Sequence, residues 1–76
     1  MRWLEKQATF KLEQPFITLG QLLKEEGIIP TGGAAKWFLK EQAVTVNAQA
    51  EDRRGKKLYP GDEVTIVGVM TITITA

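Results

Sequence analysis

At Ala43 the apolar residues of this chain change their period, and the change limits the folds open to it. Before that point Leu19, Leu22 and Leu23, then Ala35, Phe38 and Leu39, fall on common faces at helical spacing; after it Val44 and Val46 alternate with Thr45 and Asn47. Helical stripes followed by alternating strands predict an α+β fold, two helices packed on a small, mostly antiparallel sheet.

Punctuation sets the boundaries. Thr18 stands three residues before Gln21, the spacing of a capping box, and Gly27 is placed to cap the far end, so the first helix is expected over about Leu19 to Glu26. Pro30 pushes the residue before it away from helical angles, and a second helix must start afresh near Thr31-Gly32-Gly33 and run to about Gln42. On that helix Lys36 and Lys40 fall opposite Ala35, Phe38 and Leu39. Alternation from Ala8 to Leu12 predicts a strand, closed by Glu13-Gln14-Pro15. Asn47-Ala48 can turn the Val44–Val46 strand into a brief return strand around Gln49-Ala50. Tyr59-Pro60-Gly61-Asp62 predicts a type II turn, with the Asp62 side chain bonding the turn backbone. The β-branched residues of Val64 to Thr75, broken at Gly68, predict two C-terminal strands or one bent strand. The chain is expected to be one domain over residues 1–76, with a core motif at 17–66 and flanking strands at 3–12 and 69–75.

A chain of 76 residues buries only roughly 60 to 65% of the surface its unfolded form exposes, which calls for a small core. With 43% hydrophobic and 25% charged residues it lies well away from disordered compositions. Cysteine is absent, which removes disulfides, thiolate nucleophiles and Cys-ligated zinc. Histidine is absent as well, so the commonest general base and metal ligand are missing. Glu25-Glu26 and Asp62-Glu63 are adjacent pairs whose side chains diverge, and no catalytic triad, P-loop or metal spacing is present. No enzyme activity and no cofactor are expected. Met1-Arg2-Trp3-Leu4-Glu5-Lys6 carries charge where a signal peptide needs an apolar run, and the expected location is the cytoplasm.

Charge is placed rather than abundant. Net charge is +1, yet six of the ten Lys and Arg residues (Lys36, Lys40, Arg53, Arg54, Lys56 and Lys57) lie between Thr31 and Asp62. Two ammonium groups at i and i+4 on the second helix, beside the side-chain-free Gly32 and Gly33, could follow a nucleic-acid backbone; the two glycines could equally serve only to turn the chain. Arg53-Arg54-Gly55-Lys56-Lys57 puts four cations on one loop, where guanidinium groups can grip phosphate bidentately; taken alone, the segment fits a solubilising turn partly neutralised by Glu51 and Asp52 equally well. Trp37 and Tyr59 could stack on unpaired bases or belong to the core or its rim.

From Ile17 to Ile66 the chain resembles the S4 RNA-binding domain. The resemblance rests on Leu19-Gly20-Gln21-Leu22-Leu23 in the first helix, the basic second helix, Val44-Thr45-Val46-Asn47, and Gly61-Asp62-Glu63-Val64 before a late strand. Thr31-Gly32-Gly33-Ala34-Ala35-Lys36-Trp37-Phe38-Leu39 and Arg53-Arg54-Gly55-Lys56-Lys57-Leu58 are similar to its small free-standing YaaA-type branch. The chain departs from most S4 domains in having Thr31-Gly32-Gly33 in place of Ser-Arg, Asn47-Ala48 in place of Asn-Gly, and no leading arginine near Thr18. Such domains usually deliver an attached catalytic domain to structured RNA, so the resemblance implies a non-catalytic binder.

Together these readings predict a module that grips structured RNA, with ribosomal RNA and a ribosome-associated setting among the candidates. The expected contacts are Thr31, Gly32, Gly33, Lys36, Lys40, Asn47, Arg53, Arg54, Lys56 and Lys57. Expected partners include no membrane and no small-molecule substrate, and the chain is expected to be a monomer. The competing reading is a small protein-interaction or β-grasp-like carrier module without RNA binding. Its carrier form lacks a terminal Gly-Gly, since the sequence ends Thr73-Ile74-Thr75-Ala76. Its interaction form depends on the Val69–Thr75 strand lying at a sheet edge.

Overall fold

A computed structural model describes residues 6–76 and contains two helices and two sheets. Helix α1 (Leu19–Glu25) starts where the capping box predicts: the Gln21 N–H donates to Thr18 Oγ1 and the Thr18 N–H to Gln21 Oε1, each over 3.3 Å. It ends in a Schellman motif, with the Ile28 N–H donating to the Leu23 carbonyl (2.9 Å) and the Gly27 N–H to that of Lys24 (3.0 Å). Gly27 sits there at φ +74°, a left-handed conformation that glycine adopts without penalty.

Past Pro30 the chain makes a 3-10 turn (Gly32–Ala34) that opens directly into α2 (Ala35–Glu41). Gln42, expected as the last helical residue, is already extended, and its side-chain amide donates to the Val67 carbonyl over 2.9 Å. The helix therefore stops where it is tied to the sheet.

The larger sheet holds β1 (Lys6–Lys11), β3 (Val44–Val46), β4 (Gln49–Ala50), β6 (Glu63–Ile66) and β7 (Met70–Thr75) in the order β1-β7-β6-β3-β4. Pairing is antiparallel except for β1 and β7, which run parallel from Lys6 opposite Met70 to Lys11 opposite Thr75. The expected return strand at Gln49-Ala50 is present, and the C-terminal stretch is a hairpin turning at Gly68 (φ +79°). The strand expected at 3–12 appears as β1; positions 3–5 lie outside the described residues. The condition on which the protein-interaction reading depended is not met: the Val69–Thr75 strand is flanked by β1 and β6 and is not at an edge, which takes away the backbone groups a partner strand would need. Pairing from the far end of the chain was not readable from the period of β7 itself.

A second, two-stranded sheet pairs β2 (Ile17–Thr18) with β5 (Lys57–Leu58). Two residues per strand are too few to leave an alternating pattern that periodicity could detect. The core is one cluster in which Leu19, Leu22 and Leu23 of α1 and Ala35 and Leu39 of α2 meet Val44, Val46, Val64, Ile66, Ile72 and Ile74 of the sheet. With Leu19, Leu22 and Leu23 fully buried, α1 is held against the sheet, and what packs on its outer end is held with it.

Candidate nucleic-acid interface

The basic segment is fastened to α1 before it reaches α2. The first N–H groups of a helix have no intrahelical partner, and here the Leu19 N–H donates to the Lys56 carbonyl and the Gly20 N–H to the Arg54 carbonyl, both over 2.8 Å. Such closeness favours glycine at position 20. A Cβ placed on Gly20 would stand 3.3 Å from both the Cβ and the carbonyl oxygen of Arg54, and 3.4 Å from the Cβ of Ala35, the first residue of α2. Gly20 is thus the point where α1, α2 and the basic loop touch. Sequence reasoning assigned it no role, although glycine in a helical first turn, at a cost of roughly 1 kcal/mol against alanine, was the available signal.

The consequence is that two distant parts of the sequence share one open cleft. Lys36, Leu39 and Lys40 of α2 line it together with Asp52 and Arg54 of the loop. Three cations stand there against one carboxylate. None of the three carries an ion pair among the described residues, where the only bridge is Arg53 to Glu51. Trp37 is 62% exposed, with Lys40 Nζ 5.1 Å and Lys36 Nζ 5.8 Å from its ring centroid. Gly32 and Gly33 lead into α2 with exposed backbone, and a Cβ on Gly32 would meet nothing within 4 Å. Neither has a positive φ, so the fold itself does not demand glycine at these two positions. The Thr31 side chain makes no capping bond to the turn that follows it.

On the other side of the loop similar residue types are used differently. Arg53 folds back on Glu51 in a two-pronged contact, Nε to Oε2 at 2.9 Å and Nη2 to Oε1 at 3.2 Å. That contact, with a further bond from the Arg53 N–H, holds the Glu51 carboxyl below its usual pKa and the Arg53 guanidinium above its own. Lys56 and Lys57 line a second groove with Asn47, Tyr59 and Asp62. Lys57 Nζ rests 4.9 Å from the ring centroid of Phe16, whose ring faces that of Tyr59 at 6.1 Å.

Asn47 is engaged by the fold. Its Nδ2 donates to Asp62 Oδ1 (3.0 Å) and its Oδ1 accepts from the Glu63 N–H (2.9 Å), while Asp62 Oδ2 accepts from the Tyr59 N–H (2.8 Å). This clasp joins the Asn47-Ala48 turn, at φ +52° and +70°, to the Pro60-Gly61 turn, at φ +98° on Gly61. The turn bond of Asp62 is as expected; the use of Asn47 to hold the hairpin was not foreseen. Of the ten expected contact residues, the structure brings Lys36, Lys40 and Arg54 into one cleft with Thr31, Gly32 and Gly33 leading into the same helix, places Lys56 and Lys57 along the second groove, and turns Arg53 and Asn47 to partners of their own.

Comparison with known proteins agrees with this architecture. The sequence pattern of the S4 domain matches residues 10–75. The chain is also 53% identical over 57 residues, 75% of its own length and 80% of the other, to a Bacillus subtilis (strain 168) protein described as a probable ribosome maturation protein, RlbA.

Proposed function

The chain belongs to the S4 domain family, and from that premise we propose that it is a non-catalytic module that grips structured RNA, ribosomal RNA first among the candidates, through phosphates and shape. The observation that carries the reading is the cleft in which Lys36 and Lys40 of α2 converge with Arg54 of the loop, three cations with no ion pair among the described residues. Ammonium and guanidinium groups so disposed bind phosphate oxygens, and each phosphate neutralised releases counterions. In this reading Gly32 and Gly33 leave the backbone open to close approach, with the Thr31 hydroxyl beside them. Lys56 and Lys57 carry the contact surface into the second groove, and Asn47 holds the hairpin that supports it. Arg53 contributes less, because Glu51 already neutralises it. The name of the Bacillus relative supports a setting in ribosome maturation, and hence the cytoplasm. The whole of residues 1–76 would act as one monomeric unit.

Binding to ribosomal RNA hairpins, followed by filter retention across a salt series, tests the reading. With about four to six phosphates neutralised, log affinity falls against log salt with a slope of roughly −3 to −5. A flat response would contradict it.

A further inference from the structure

We propose that Trp37, flanked by Lys36 and Lys40, is a stacking platform for one unpaired base of the bound RNA; the inference rests on the RNA-binding reading above. Ala35 and Leu39 of the same helix are buried in the core, yet the largest side chain of α2 stands 62% exposed. Nothing in the hydrophobic cluster uses it. An indole left in water on the outer face of a helix is a flat π surface in need of a partner.

Two features identify the partner as a nucleotide. The ammonium groups of Lys36 and Lys40 lie over the ring, 5.8 and 5.1 Å from its centroid, on flexible stems that an incoming base can displace toward its own phosphates. The same two lysines line the cleft shared with Arg54, so a strand whose phosphates lie in that cleft carries its next base past Trp37. Bases inside an A-form duplex are already stacked and paired, and a side chain outside the duplex reaches only one that is unpaired. The platform therefore selects a bulge, loop or strand end beside a stem. Tyr59 is the weaker alternative, since it is less exposed, at 48%, and its ring packs tilted against that of Phe16 at 6.1 Å.

The test uses the full chain with Trp3→Phe, which leaves Trp37 as the single indole, and two RNA hairpins. One has a bulged 2-aminopurine nucleotide; the other has the same stem fully paired. The platform predicts tighter binding of the bulged RNA, with quenching of both Trp37 and 2-aminopurine emission. Trp37→Ala then weakens binding of the bulged RNA by about 5- to 150-fold, the loss expected for one stacked base, and that of the paired RNA far less. Trp37→Phe restores most of the difference, and circular dichroism confirms that both variants fold. Salt-dependent binding that is equal for the two RNAs, or an equal loss for both on Trp37→Ala, overturns the platform and leaves the phosphate grip standing. Absence of salt-dependent binding to either RNA overturns both.

Discussion

On the α2 side of the basic loop, Lys36, Lys40 and Arg54 stand around an open cleft without an ion pair among the described residues; on the strand side, Arg53 is paired with Glu51 and Asn47 is bonded to Asp62 and Glu63. Both sides are rich in polar groups. They differ in how many remain available to a ligand, because a hydrogen bond or ion pair already made within the protein must be broken before the same group can serve another partner. A count of cations along the sequence treats Arg53 and Arg54 as equals. Their neighbours make one a tether for its own loop and leave the other lining the cleft with Lys36 and Lys40.

The largest effect on stability is expected at Asn47. Asn47→Ala removes two side-chain hydrogen bonds and leaves an alanine at φ +52°, so unfolding in urea should show a loss of about 2 kcal/mol. RNA affinity of the folded variant should change by no more than a few-fold. A stable variant that no longer binds RNA would move Asn47 from the supporting side to the contact side.

A smaller and opposite effect is expected at the entrance to α2. Gly32→Ala with Gly33→Ala adds methyl groups where space is open and φ is not positive, and the reduced freedom of the unfolded chain should leave stability unchanged or raised by up to about 1 kcal/mol. Affinity for RNA should fall a few-fold if, as proposed, the RNA backbone approaches where the added methyls stand. Lower stability in thermal unfolding would assign these glycines to the fold instead.

Much of the architecture was legible because it follows from local rules. The Thr18–Gln21 box, Gly27, Pro30 and the Pro60-Gly61 turn each act through backbone angles or bonds within a few residues, and each element they bound begins or ends within a residue or two of its expected place. What escaped was set by partners distant in sequence. The parallel pairing of β1 with β7, the two-residue sheet of β2 and β5, and the contact of Gly20 with Arg54 depend on where the chain returns after several turns. Site residues follow the same division. Lys36 and Lys40 were readable as an exposed helical stripe, whereas the pairing of Arg53 with Glu51 two residues away turns on a loop conformation that composition does not specify.

In the proposed RNA surface it is availability, not cation count, that decides which side chains bind, and the pair Arg53→Ala and Arg54→Ala measures this directly. Each substitution removes one exposed cation and keeps the backbone carbonyls that anchor the loop to α1. In salt titrations against one ribosomal RNA hairpin, Arg54→Ala should weaken binding about tenfold and make the slope shallower by about one, and Arg53→Ala should cost less than about threefold with the slope unchanged. An equal or larger loss at Arg53 would contradict the account.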